Sequence, residues 1–184
     1  MKTSSLRRAL RPLSAIGLTA CALSASAAQW SDNTIGIDVG NSYGEPGIPG
    51  SDIRKTVFTF NHVSGDAWGR NLVEADVLKS SSNDPAAGGG GGAQEFYGLY
   101  RRTLSLGHLT GQALRFGPVK DINLVGRADL QTKNNDFAPR ARKLIGGLSL
   151  DFDVPKGYVE SGLYAYSESN HNGLVGSDVR FDTT

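Results

Sequence analysis

Asp121-Ile122-Asn123-Leu124-Val125-Gly126-Arg127-Ala128-Asp129-Leu130-Gln131 alternates along its whole length. Successive side chains of a β-strand point to opposite faces. One face then carries Ile122, Leu124, Gly126, Ala128 and Leu130, and the other Asp121, Asn123, Val125, Arg127, Asp129 and Gln131. A soluble sheet packs its apolar face on a core, whereas a membrane barrel turns that face to lipid and lines an aqueous lumen with the charges. A tilted strand crosses a bilayer in roughly 9–11 residues, the length of this segment. One strand fits both architectures.

The pattern recurs between Gly, Pro, Asn and Asp punctuation, and eight strand-like segments follow from it. Asn33–Tyr43 sets Ile35, Ile37 and Val39 against Gly36 and Asp38, and a Gly/Pro-rich loop is expected at Gly44–Ser51. Arg54–Val63 sets Phe58 and Phe60 against Thr59 and Asn61. After a turn at Ser64–Gly69, Val73, Ala75 and Val77 oppose Arg70, Glu74 and Asp76, with Leu72 out of pattern. Gln94–Leu106 is the fourth, and an irregular stretch through Pro118 leads to the fifth, quoted above. A turn at Asn134-Asn135-Asp136 precedes Arg140–Val154, where Leu144, Leu148, Leu150 and Phe152 face away from Lys143, Ser149, Asp151 and Asp153. Pro155-Lys156-Gly157 turns the chain into Tyr158–Ser169, and Ser177–Thr184 begins an eighth strand.

The amino terminus has the three parts of an export signal. Lys2, Arg7, Arg8 and Arg11 form a basic region, Leu13–Leu23 an apolar one, and Ser24–Ala28 a run of small residues suited to cleavage after Ala27 or Ala28. The expected organisation is a signal peptide over residues 1–28 and one domain over 29–184. The apolar run is shorter than the roughly 20 residues of a spanning helix, so a membrane form of this chain is a barrel. Cys21, the only cysteine, also ends a lipobox-like Leu18-Thr19-Ala20-Cys21. In the main reading the mature chain has no cysteine, hence no disulfide and no thiolate metal site. The last residues stop without a turn or a terminal aromatic, and the expectation is a chain truncated inside a strand.

Several function classes find no support in the residues. The chain has 19 basic and 18 acidic residues, and removing the four basic residues of the signal leaves 15 against 18. There is no basic stripe for nucleic acid. Ser80–Ala93 holds Asn83-Asp84-Pro85 and five consecutive glycines, which reads as a flexible loop over 80–93. A phosphate-cradling glycine loop needs a following helix and usually a lysine, and neither is present. His62, His108 and His171 lack partners at metal-ligand spacing, so no metal or cofactor is expected. With no Gly-x-Ser-x-Gly elbow or other nucleophile setting, an enzyme is not expected.

Thr59-Phe60-Asn61-His62-Val63-Ser64, Trp68-Gly69 and Asp76 begin a set of spaced motifs. Tyr97-Gly98, Leu104-Ser105-Leu106, Phe116-Gly117-Pro118-Val119-Lys120-Asp121 and Asp151-Phe152-Asp153-Val154-Pro155 continue it. In this order they resemble the Tsx-type family of nucleoside-specific channel-forming outer-membrane proteins. The resemblance implies an all-β fold, a transmembrane antiparallel up-and-down β-barrel of twelve strands, about eight of them here as an open or partial barrel. It also implies a monomer in the Gram-negative outer membrane, in contact with lipid, that passes nucleosides or similar small polar solutes. Asn61 stands where the family usually has Glu, Gly69-Arg70 where it has Gly-Asp, and Leu99 where an acid is common, which shifts the expected lumen potential positive.

A nucleoside is recognised by stacking its base on aromatic rings and hydrogen-bonding its hydroxyls and base edges. Conduction favours several modest sites in series. Strand phase makes Asp38, Asn61, Arg70, Glu74, Asp76, Asn123, Arg127, Asp129, Asp151, Asp153, Tyr158, Glu160, Tyr164 and Tyr166 the pore-lining candidates, with the three tyrosines as stacking platforms. Paired lumen charges also hold barrel walls together. Two other functions fit the same pattern: a structural or adhesive barrel without transport, and a soluble lipocalin-like binding protein with the opposite face inward.

Overall fold

A computed structural model describes residues 28–45, 48–84, 91–134, 140–171 and 179–183. Residues 1–27 of the expected signal peptide, Pro46-Gly47 of the expected Gly/Pro-rich loop, most of the polyglycine run, the Asn135-Asp136 part of the expected turn and both ends of the expected eighth strand lie outside the described residues. Eight strands follow in chain order: β1 Trp30–Glu45, β2 Ile48–Asp66, β3 Gly69–Ser80, β4 Gln94–Ser105, β5 Val119–Lys133, β6 Arg140–Phe152, β7 Val159–His171 and β8 Val179–Asp182. Each pairs antiparallel with the next, so the fold is one up-and-down sheet in the order β1 to β8. Among the described residues it is open: β1 and β8 each keep an unpaired edge. Among the described residues no helix is long and apolar enough to cross a membrane.

β1, β2 and β5 run longer than alternation alone predicts, whereas β4 and β6 stop one and two residues short of the expected ends. Gly44–Ser51 was expected as a loop, yet Glu45 pairs with Ile48 after register shifts at Gly40/Tyr43 and Tyr43/Glu45. Backbone pairing there overrides the local preference of Gly and Pro. The irregular stretch after β4 contains a short helix, α1 at Leu106–Thr110, whose first turn is capped by the Ser105 side chain and whose end is closed by Gly111 in the left-handed conformation. The Gly-rich segment also packs at its two ends. Ser80 and Ala93 are buried and bonded to each other, and Asp84 is buried against Lys133.

Burial is inverted relative to a soluble sheet. The outward apolar side chains are exposed, with Ile35 at 81%, Leu144 at 67% and Leu163 at 87%. On the opposite face Asn123 is 3% exposed, Asp129 6% and Ser149 1%, among the few apolar residues Leu99, Val125 and Ala141. Ion pairs show why the charged face is enclosed. Arg70 on β3 and Arg101 on β4 both reach Glu160 on β7. Neighbouring strands are about 4.8 Å apart, so β3 and β7 would be about 19 Å apart in a flat sheet. That exceeds the combined reach of an arginine and a glutamate. The sheet therefore curls, with its charged face concave.

The strands are also staggered. Gly69, Leu104, Leu124, Leu148 and Leu163 form one row across β3 to β7. Gly69 begins β3 at its turn, whereas β6 continues four residues beyond Leu148 to Phe152, and β7 begins four before Leu163 at Val159. The stagger is close to one residue per strand. Strands tilted by roughly 35–45° to a common axis have this shear.

Candidate functional site

The concave face gathers its charges into three tiers between the hairpin turns and the longer loops. At the turn end, Gly69 places Arg70. Its φ of 152° belongs to glycine, and a Cβ there would run into the Thr103 carbonyl. Asp66 fastens the same turn by accepting from the backbone N–H groups of Trp68 at 2.8 Å and Gly69 at 3.0 Å. The Arg70 guanidinium then donates to both Asp151 oxygens, at 2.9 and 2.8 Å, and to Glu160 at 3.2 Å. The ring of Tyr158 lies 5.6 Å away. Arg101 donates to the other Glu160 oxygen and, at 3.4 Å, to the Tyr164 hydroxyl, which itself donates to Glu160 at 3.1 Å.

Arg70, Arg101, Tyr158 and Glu160 border a cavity of about 470 Å³, which Trp30 and Val63 line from the β1–β2 side. Trp30 lies so close to Gly65 that a side chain at 65 would meet the indole. The cavity thus has two aromatic walls, two guanidiniums and a carboxylate. Such a set can hold a flat ring by its faces and a hydroxylated group by its edges.

The middle tier is built on β4 and β5. Arg127 donates to Asp129 at 2.6 and 2.7 Å and to the Tyr97 hydroxyl at 3.1 Å, and Tyr97 donates to Asp129 at 3.0 Å. Asp76 stands opposite Tyr97, with its Oδ1 buried and without a hydrogen bond among the described residues. At the loop end Glu95 lies between Lys55 at 2.7 Å and Lys133 at 3.1 Å, and Lys133 also pairs with Asp84 at 3.1 Å. Lys143 and Glu168 pair loosely at 3.9 Å between the tiers.

Phase places most of the expected pore-lining residues on this face, but they do not form one site. Arg70, Asp151, Tyr158, Glu160 and Tyr164 come together at the turn end, and Arg127 with Asp129 in the middle. Glu74 and Asn61 stand opposite each other, and Asn123 is buried beside Ser149. Asp38 is on the concave side of β1 and exposed, and Tyr166 shares the phase of Tyr164. Asp153 falls outside β6, where it is 67% exposed and paired with Arg115 on the segment before β5. Pro155 and the turn end the alternation before Asp153 can join the wall. Tyr158 likewise precedes β7, yet it returns to the site through Arg70.

Trp30, Lys55, Glu95, Tyr97, Arg101, Lys133 and Lys143 were not among the expected site residues. Phase alone could have found Arg101 and Tyr97, which alternate with Arg102 and Gly98. Trp30 lies just after the expected cleavage site, outside the stretch of clear alternation. Comparison with family models, with curated proteins and with solved structures finds no match for this chain.

Proposed function

We propose that this protein is an outer-membrane β-barrel channel for passive diffusion of nucleosides or similar small polar solutes. The observation that carries the reading is the inverted burial. From β1 to β7 the outward Ile, Val, Leu and Phe are exposed or half-exposed, while Arg, Lys, Asp, Glu and Tyr line the concave side. Exposed apolar area of that extent needs a non-aqueous surrounding, and lipid supplies it for a barrel. Strand tilt, the export signal and the family-like motifs point the same way. Trp30 and Tyr158 offer ring faces to a base, and Arg101, Glu160 and Asp76 offer partners to hydroxyl and amino groups. The tiers in series suit weak successive binding.

An unpaired backbone group in hydrocarbon costs several kcal/mol. The conducting form therefore has strands beside both the β1 and β8 edges, as the family resemblance implies. A lipocalin-like binding protein fits less well, because it needs its apolar face on the concave side. The test is single-channel recording of the membrane-assembled protein in a planar bilayer, with nucleosides added to one chamber. Small conductance partly blocked by nucleosides is expected. Conductance without block would keep the barrel and remove the substrate, and no conductance would favour a structural or adhesive barrel.

A further inference from the structure

The outward face changes character at its loop end. Arg54 on β2, Lys79 on β3, Arg140 and Arg142 on β6 and Arg180 on β8 share the phase of the apolar side chains, and all five are exposed. Arg142, Ser169 and Arg180 stand in one row, which continues through Leu130, Gly98 and Ala75 to Phe60. Lys79 is four residues nearer the loops than Ala75, and Arg54 six nearer than Phe60. Tilted strands move a level line by about one residue per strand. Arg54 and Arg180 are six strands apart in the sheet order, so the tilt brings them to one height. The five residues form a band around the upper border of the apolar face.

The acids of this rim are mostly engaged elsewhere. Glu95, Glu168 and Asp84 pair with Lys55, Lys143 and Lys133, and Asp52 accepts from Ser42 at 3.1 Å. Asp182 is the outward acid, one pair below Arg180. Among the described residues no carboxylate is in ion-pair contact with Arg54, Lys79, Arg142 or Arg180. At the turn end, by contrast, outward Arg102 is neutralised by Asp66. Beneath Arg142 a shallow trough of about 670 Å³ follows Gly126, Gly146 and Ala165 under Tyr100 and Leu144, with the charged Arg102 at its β4 end and Asp182 at its β8 end.

We propose that this band docks the phosphate-bearing headgroups of the surrounding lipid, with an acyl chain in the trough below. The inference rests on the membrane reading above. A guanidinium matches phosphate with two parallel hydrogen bonds, and a level ring of cations directly above an apolar belt fits a lipid layer's own arrangement of charge over hydrocarbon. The band fixes both the depth and the orientation of the sheet.

The purified protein in detergent is titrated with lipid A carrying its phosphates and with the same lipid dephosphorylated, and bound lipid is counted by native mass spectrometry. The phosphorylated form should be retained at least tenfold better, and R54Q/K79Q/R142Q/R180Q should remove most of that preference. R54K/R142K/R180K should keep it in large part. Equal retention of the two lipids, or an unchanged preference in the quadruple variant, overturns the proposal. If the quadruple variant loses the wild-type β-sheet circular dichroism, R142Q/R180Q alone carries the test. Alkaline extraction of cell envelopes reads the membrane assignment separately. Release of the wild type without detergent removes that assignment, whereas an embedded wild type indifferent to lipid phosphate removes only the band.

Discussion

Arg70 and Asp151 join β3 to β6 through two parallel hydrogen bonds of 2.9 and 2.8 Å, although 81 residues separate them in the chain. A contact between strands three places apart in an antiparallel sheet exists only because the sheet is curled. Glu160 enters the same guanidinium at 3.2 Å and links it, through Arg101, to β4. The turn-end tier is therefore both a wall brace and the charged border of the Trp30–Tyr158 cavity.

Arg70→Gln should loosen this brace. The Arg70 side chain is 33% exposed, so solvent screening reduces the loss to about 1–2 kcal/mol. In bilayers the variant should show larger conductance and a shift towards cations, since Asp151 and Glu160 lose their counter-charge. Unchanged ion selectivity, read from reversal potentials in a salt gradient, would place this cluster away from the conduction path.

Asp66 makes the β2–β3 turn acid-sensitive. The Arg102 guanidinium beside it, helped by the backbone N–H groups of Trp68 and Gly69, holds its carboxyl below the usual carboxylate range. A lowered folded-state pKa contributes stability that is fully present above the unfolded value of about 3.9 and is lost as pH falls through the folded one. Denaturant midpoints should therefore fall on acidification below about pH 4, and Asp66→Asn should flatten that fall while lowering the midpoint at neutral pH. Identical acid profiles for variant and wild type would count against the turn as the sensitive element.

Gly69→Ala puts a Cβ into the Thr103 carbonyl at a positive φ. A cost of about 1–3 kcal/mol is expected for strain of this kind, together with displacement of Arg70 from Asp151. The electrophoretic shift between heated and unheated samples should become less complete than in the wild type. Full retention of the shift would mean that the turn relaxes without disturbing β3.

The alternation in Asp121–Gln131 and in Arg140–Phe152 was sufficient to assign faces, because period two leaves one choice of phase per strand. Arg127 with Asp129, two residues apart on one strand, was likewise legible. The meeting of Arg70 with Asp151 and Glu160 was not, since it depends on curvature summed over four strands. Gly44–Ser51 reads as a loop locally, and only the Glu45–Ile48 pairing shows the hairpin continuing. The α1 helix spans a single Leu-Gly-His-Leu-Thr turn, too short for any periodicity to register. Its signals are the Ser105 and Gly111 caps.

Leu148→Arg places a charge on the outward face near the middle of β6. If that face meets lipid, the substitution costs about 2–4 kcal/mol near the bilayer midplane and should reduce the protease-resistant, membrane-assembled fraction. Gly147→Ala, at the adjacent inward position, should fail for a different reason, since its Cβ meets the Leu163 carbonyl. Val125→Asn, inward on β5 and without such a clash, should assemble better than Leu148→Arg. The opposite ranking would reverse the two faces.

If the apolar face meets lipid while the charged face encloses water, the two faces of β7 meet different solvents. Spin labels on single cysteines introduced one at a time from Val159 to Glu168, in membrane-assembled protein, report access to oxygen dissolved in lipid and to a water-soluble nickel chelate. Access should alternate with a period of two. Val159, Ser161, Leu163, Ala165 and Ser167 should favour oxygen, and Glu160, Gly162, Tyr164, Tyr166 and Glu168 should favour the chelate. The reverse phase, or equal access to the chelate at every position, would contradict it.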